Sequence, residues 1–135
     1  MNWTEYDRLR KLAEADIKIT TDNVLQKSID RPIIYHKYLD IFIVQTRKYR
    51  KMKIDVNQMY GQLYKKYKFD GNIALSNKSE VEAFINNDEV YIKLLHSLNI
   101  QETIIIYLEK LLDTIKSMSF DIKNFIEFQK FLGGS

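Results

Sequence analysis

Between Gln101 and Leu132 the apolar residues Ile104, Leu108, Leu111, Ile115, Met118, Ile122, Phe125 and Leu132 recur on alternating three- and four-residue steps, with polar Gln129 the one exception. That spacing winds onto one seam of a helix. Ile105, Leu112 and Ile126 form a second row that widens the seam into a stripe. Such a stripe must be covered, either by the chain's own earlier helices or by copies of the chain, and the pattern predicts both. An ordinary core helix of a monomeric bundle would carry the same periodicity. Gly133 and Gly134 are expected to end the helix, as glycine just past a last apolar turn does.

Earlier in the chain, Trp3, Tyr6, Leu9, Leu12 and Ala13 predict a short amphipathic helix over 3–19. The polar run Thr20 to Asn23 breaks it, with Asp22 as a cap for a short turn through Val24 and Leu25. Ile29 to Pro32 reads as a boundary, proline taking the first position of a new helix behind Asp30 or Arg31. From Ile33 to about Phe69, Ile34, Tyr38, Ile41, Met52, Val56, Met59, Leu63 and Tyr67 fall on one side of a long helix. Gln45 and Lys48 interrupt that side, so its central turns are expected to be the least buried. Gly61 weakens the helix by about 1 kcal/mol relative to alanine and marks a bend or a close contact.

Asp70-Gly71-Asn72 predicts a turn, and the stretch from Ile73 to Lys78 favours no element. Ser79 and Glu82 have the spacing of a capping box before a brief helix through Val81, Phe84 and Ile85. Asn86, Asn87 and Asp88 break that helix and can cap the next, through Val90, Leu94, Leu95 and Leu98, and Asn99 is expected to bend the chain before the last helix.

Composition narrows the class. A chain of 135 residues with one proline and four glycines is expected to form a single domain of long helices, an all-α fold. The absence of cysteine excludes disulfides and thiolate metal sites, and His36 and His96 are too isolated to suggest a metal centre. The first twenty residues lack the pattern of a secretory signal, and the apolar runs are too short to span a bilayer. A cytoplasmic protein is expected.

Charge changes the picture more. From Arg31 to Lys68 ten Lys or Arg stand against Asp40 and Asp55, a balance of +8, within a chain whose net charge is only +3. A segment of that kind concentrates anions, so nucleic acid or an acidic surface is the expected partner. On the long helix Arg47, Arg50, Lys51, Lys65 and Lys68 point away from the apolar side, while Tyr49, Tyr60 and Tyr64 flank it. Cations that neutralise phosphates, interleaved with rings that stack on unpaired bases, suit a single strand held without sequence preference. A solvated charged face with tyrosines half buried as packing residues has the same sequence. No phosphate-binding glycine loop, nucleophile motif, metal-ligand cluster or redox pair is present, and the acidic pairs Glu80 with Glu82 and Asp88 with Glu89 sit where carboxylates cap helices. Neither catalysis nor a cofactor is expected.

The segments Tyr35-His36-Lys37-Tyr38-Leu39, Leu63-Tyr64-Lys65-Lys66-Tyr67-Lys68-Phe69-Asp70-Gly71 and Lys78-Ser79-Glu80-Val81-Glu82-Ala83-Phe84-Ile85 resemble the UvsY-like recombination mediator proteins of T-even-type bacteriophages. So do Leu111-Leu112-Asp113-Thr114-Ile115-Lys116-Ser117, then Phe120-Asp121-Ile122-Lys123-Asn124-Phe125-Ile126 and Phe131. In order and spacing these cover about Asp22 to Gly133. The resemblance implies an all-helical subunit that assembles through its C-terminal region into a closed homo-oligomeric ring and binds single-stranded DNA. It further implies a non-catalytic protein, without cofactor, that helps load a RecA-like recombinase onto DNA covered by a single-strand-binding protein, in the host cell cytoplasm if the chain is phage-encoded. The family places its DNA contacts on a Lys-Ala-Arg-Leu pattern late in the long helix. This sequence departs from that pattern, and Lys65 and Lys66 are the nearest cations.

The expected subunit is thus a single domain over 1–135, with N-terminal helices and the basic DNA-binding helix in 1–72 and the oligomerisation region in 73–135. The candidate DNA-binding residues are Arg47, Lys48, Arg50, Lys51, Lys65, Lys66 and Lys68, with Tyr60 and Tyr64 as stacking rings. Leu108, Leu111, Ile115, Met118, Ile122 and Phe125 are the candidate oligomer interface. The competing reading is a non-catalytic structural oligomer or adaptor whose basic helix binds an acidic protein surface.

Overall fold

A computed structural model describes residues 3–70 and 77–134. Four α-helices account for most of them: α1 Thr4–Ile17, α2 Val24–Lys65, α3 Lys78–Asn86 and α4 Glu89–Leu132, with a π-helical turn Lys66–Asp70 continuing α2. No strand occurs among the described residues, so the fold is all-α as the sequence predicts. Among the described residues no helix is long and apolar enough to cross a membrane, and no cluster of His, Asp or Glu is arranged to hold a metal ion. The chain folds as two compact units, one of Gln45–Thr103 and one of Asn2–Val44 with Ile104–Ser135.

In the second of these units Leu9, Ala13, Ile34, Tyr38, Ile104, Leu108, Leu111, Leu112, Ile115, Met118 and Ile122 are buried. The seam read from the sequence is therefore core as far as Ile122, and it emerges through half-buried Phe125 to exposed Gln129 and Leu132. Trp3, Tyr6 and Tyr107 stack edge to face at 5.6 Å steps along α1 and α4. The polar centre of the unit is Asp16. Its Oδ2 accepts hydrogen bonds from Tyr38 Oη at 2.6 Å and Lys37 Nζ at 2.8 Å, and its backbone carbonyl accepts one from Lys27 Nζ at 2.6 Å. Burial alone would push the Asp16 carboxyl up, but the hydrogen bonds from Lys37 and Tyr38 and the nearby lysine charges outweigh it and hold the group below the usual carboxylate range. Burial and the bond to Asp16 raise the Tyr38 phenol far above its ordinary value.

Three sequence expectations shift here. Asn23 rather than Asp22 stands directly before α2: its carbonyl accepts from the Lys27 N–H at 2.8 Å, while its side chain closes the preceding turn, Oδ1 accepting from the Thr20 N–H at 2.8 Å and Nδ2 donating to the Lys18 carbonyl at 3.0 Å. Pro32 lies inside α2 and starts no helix. Proline removes one N–H and crowds the carbonyl four residues back, which in a helix interior costs about 3 kcal/mol or more. Pro32 and Ser28 are both exposed, so water can solvate the carbonyl left over, and anchors on either side, Lys27 to Asp16 and buried Ile34 and Tyr38, hold the helix through it. Asn99 likewise fails to bend the chain. It is exposed within a continuous α4, and its carbonyl accepts from Thr103 Oγ1 as well.

In the other unit Leu63, Val81 and Ile85 form a buried cluster, with Met59, Tyr60, Tyr64, Tyr67 and Tyr91 packed around it. The cap of α3 is Asn77, two residues before the expected Ser79. Asn77 Oδ1 accepts from the Glu80 N–H at 2.9 Å as an N-cap does, and its Nδ2 donates to Glu80 Oε1 at 3.1 Å, so Asn77 and Glu80 take the place expected of Ser79 and Glu82 with a side-chain bond in place of the second backbone bond of a capping box. Asp88 caps α4 as expected, its Oδ1 accepting from the Val90 and Tyr91 N–H groups at 2.9 and 3.1 Å. Buried Gln101 donates from Nε2 to the Gln45 carbonyl at 2.9 Å and to Gln45 Oε1 at 2.8 Å. The expected turn at Gly71-Asn72 and the stretch 73–76 lie outside the described residues. Gly134, at φ 73°, takes the left-handed conformation that ends α4.

The Asp16 cluster sets an acid limit. Because the folded carboxyl titrates below its unfolded value of about 3.9, the unfolded chain binds the extra proton between the two, and stability falls as pH drops through that window. Asp16→Asn is therefore expected to lower the urea midpoint clearly at pH 7 and only slightly at pH 3, as followed by circular dichroism at the two pH values.

Candidate nucleic-acid interface

Arg47, Lys51, Ile54, Gln58, Gly61, Lys65 and Phe69 recur on three- and four-residue steps along α2 and its π-helical turn, and every one of them is exposed. They form a row on the side away from buried Val56 and Leu63. Arg50 and Lys68 border it, and Lys48 and Lys66 lie further round the helix, all exposed. From Arg47 to Lys65 the row extends about 27 Å at the helical rise of 1.5 Å per residue.

None of these cations forms an ion pair among the described residues. Ion pairs among the described residues join Arg8 with Glu5, Arg10 with Glu14, Lys37 with Asp16 and Lys78 with Glu82. Asp55 stands one turn from Lys51 without pairing with it. The row's positive charge is thus not offset by an ion pair among the described residues, and each of its cations is exposed.

Gly61 sits where a Cβ would meet nothing within 4 Å and its φ is not positive, so neither a tight contact nor a left-handed backbone requires glycine there. It opens a shallow groove of 510 Å³ bordered by Gln58, Gln62 and Lys65, amide and ammonium donors suited to phosphate or sugar oxygens.

The aromatic residues divide into two kinds. Tyr60 packs against Tyr91 with ring centroids 6.0 Å apart, and Tyr67 against Phe84 at 5.5 Å. Tyr67 Oη also donates to Asp88 Oδ2 at 2.7 Å, tying the end of α2 to the cap of α4. That bond raises the Tyr67 phenol. It also lowers the Asp88 carboxyl against the opposing effect of burial, helped by the Tyr91 and Val90 N–H groups and the Lys66 charge. Tyr64 lies half buried against the same core, with Lys68 Nζ 5.5 Å from its ring centroid. Tyr60 and Tyr64, the stacking rings expected from the sequence, are thus engaged in packing on one side. Phe69 was not among them. It is 71% exposed, and the signal available for it is its spacing, four residues beyond Lys65.

The residues expected at an oligomer interface lie elsewhere. Leu108, Leu111, Ile115, Met118 and Ile122 are buried within the chain itself and Phe125 is half-buried. The apolar side chains that α4 leaves exposed toward its end are Phe120, Phe128, Phe131 and Leu132. Leu25, Ile29 and Ile33 make an exposed row with four-residue spacing on the first turns of α2. A groove of 350 Å³ in the same unit is lined by Val24, Phe125, Ile126 and Gly133 together with polar Thr21, Gln129 and Lys130.

This arrangement of helices has known counterparts. One crystal structure of the bacteriophage T4 recombination mediator protein UvsY, in its lattice type IV, superposes with a TM-score of 0.80 at 17% identity, over 97% of this chain and 98% of that one. Another, in lattice type II, gives 0.79 at 19% identity over 94% and 96%, and the lattice type I structure gives 0.75 at 19% over 92% and 98%. At such identities the likeness is one of fold. No curated protein sequence matches the chain. The family model described as "Recombination, repair and ssDNA binding protein UvsY" matches residues 12–135, nearly the whole sequence, and the chain belongs to that family.

Proposed function

We propose that this protein is a non-catalytic recombination mediator that binds single-stranded DNA as a homo-oligomeric ring. In this reading it helps a RecA-like recombinase assemble on DNA covered by a single-strand-binding protein, in the cytoplasm of a phage-infected host cell. The observation that carries the reading is the row of unpaired cations on α2, in a chain of the UvsY family.

The DNA contacts in this reading are Arg47, Lys48, Arg50, Lys51, Lys65, Lys66 and Lys68, which take backbone phosphates and release counterions. Affinity then falls with salt by about 0.7 log units per log unit of salt for each phosphate contact. One row holds a strand weakly. Copies displayed on one assembly raise the effective concentration for each next contact, so avidity can exceed a single site by about 10²–10⁴. A strand wrapped in this way is bent and partly withdrawn from the protein that covers it, which lowers the cost of displacing that protein and frees a stretch for recombinase nucleation. The mediator makes and breaks no covalent bond. It shifts an equilibrium by binding one arrangement of the DNA better than another.

The contact between copies falls, in this reading, on the exposed end of α4, Phe120, Phe128, Phe131 and Leu132, and on the Leu25-Ile29-Ile33 row with its neighbouring groove. The buried seam of α4 supports that surface from beneath.

Replacing Lys51 and Lys65 together with alanine is expected to flatten the salt slope by about 1.4 log units per log unit of salt. Fluorescence anisotropy of a labelled oligonucleotide checks it, and an unaltered slope would remove these residues from the site. Phe131→Asp is expected to lower the molar mass in light scattering while the helix signal stays, whereas Ile115→Asp buries a charge in the core and unfolds its unit. A wild-type protein that is monomeric at micromolar concentration overturns the ring. For the function itself the assay is recombinase ATP hydrolysis on coated DNA with cognate partners. Adding this chain is expected to shorten the lag only when the single-strand-binding protein is present. If the lag is unchanged at every ratio, the adaptor with an acidic protein partner takes the mediator's place.

A further inference from the structure

We infer that Phe69 is a base-stacking residue of the α2 site and the source of its preference for single strands, an inference that rests on the single-strand reading above. Lysine and arginine neutralise the phosphates of a duplex and of a single strand alike, so the cation row by itself gives little reason to choose between them. A planar apolar ring does. It can stack on the face of an unpaired base, whereas the bases of a duplex already stack on one another.

Among the described rings at this end of α2, Phe69 is the one that no other ring or core residue takes up. Tyr60 is taken up by Tyr91, Tyr67 by Phe84 and Asp88, and Tyr64 by the Leu63-Val81-Ile85 core. Phe69 pairs with no other ring among the described residues, and Lys68 Nζ stands 5.5 Å from its centroid. Single exposed apolar residues are common on soluble proteins. What distinguishes Phe69 is its place: it ends the row Arg47, Lys51, Gln58, Lys65, with Lys65 four residues before it and Lys68 beside it. The turn that presents it, Lys66–Asp70, is π-helical, a geometry found frequently at functional sites. A strand whose phosphates follow the row therefore reaches Phe69 at its end, with Lys68 able to take the phosphate next to the stacked base.

The test compares a thymidine oligonucleotide with an abasic strand of the same length, hence the same phosphates, on the full chain and on Phe69→Ser. The wild type is expected to bind the base-bearing strand about five- to hundredfold more tightly for each base engaged. Phe69→Ser is expected to bind both strands at the abasic affinity, with the salt slope and melting temperature unchanged, and Phe69→Trp to keep the preference. Phe69→Ser that still prefers the base-bearing strand overturns the assignment. So does a lowered melting temperature with equal losses on both strands, which would make Phe69 a packing residue. A wild type that binds both strands equally overturns the stacking role and leaves the phosphate contacts standing, whereas a wild type that binds neither overturns the single-strand reading itself.

Discussion

Like charges one turn apart on a helix repel, by a few tenths of a kcal/mol for each exposed pair. On α2 this holds for Arg47 with Lys51 and Arg50, and for Lys65 with Lys68, and no carboxylate pairs with any of them among the described residues. The opposite side of the helix has to offset that repulsion, and it does so by burying Val56 and Leu63 and packing Met59, Tyr60 and Tyr64 around the small core. Residues that look like a basic, tyrosine-rich binding patch are therefore divided by the helix into a side that holds the fold and a side that stays charged. A polyanion laid along the charged side would relieve the repulsion.

The long elements were legible from periodicity because period and burial coincide in them. Ile34, Tyr38, Val56 and Leu63 are buried as their spacing on α2 requires, and Ile104 through Ile122 likewise on α4. The breaks were less legible. Pro32 and Asn99 carry breaker signals, yet both are exposed inside continuous helices, where anchors in neighbouring turns decide the outcome. At α3 the spacing Ser79-Glu82 obscured the equivalent pair Asn77-Glu80, which is the one that closes geometrically.

The candidate site shows the same division. Its cations were legible because charge on a helix has nowhere to go but outward. The rings were ambiguous because a tyrosine can bury its face and leave its hydroxyl exposed, and Tyr60, Tyr64 and Tyr67 are partly buried in the core. Sequence pattern also cannot separate a stripe that packs inside a subunit from one that packs between subunits. The burial of Leu108, Leu111, Ile115, Met118 and Ile122 within the chain moves attention to the phenylalanines at the end of α4.

The amide pair Gln101–Gln45 has a consequence for how α2 and α4 find each other. Rows of isoleucine and leucine repeat, so one helix can slide past another by a turn, about 5.4 Å, and meet equivalent partners. A buried amide cannot. Moved by one turn, Gln101 would leave its N–H groups without acceptors in an apolar setting, at a cost of about 1–3 kcal/mol for each orphaned group. The pair thus acts as a vernier mark on two otherwise repetitive surfaces: it adds little net binding between the helices but selects one alignment of them, and with it the turn of α2 at which the cation row begins.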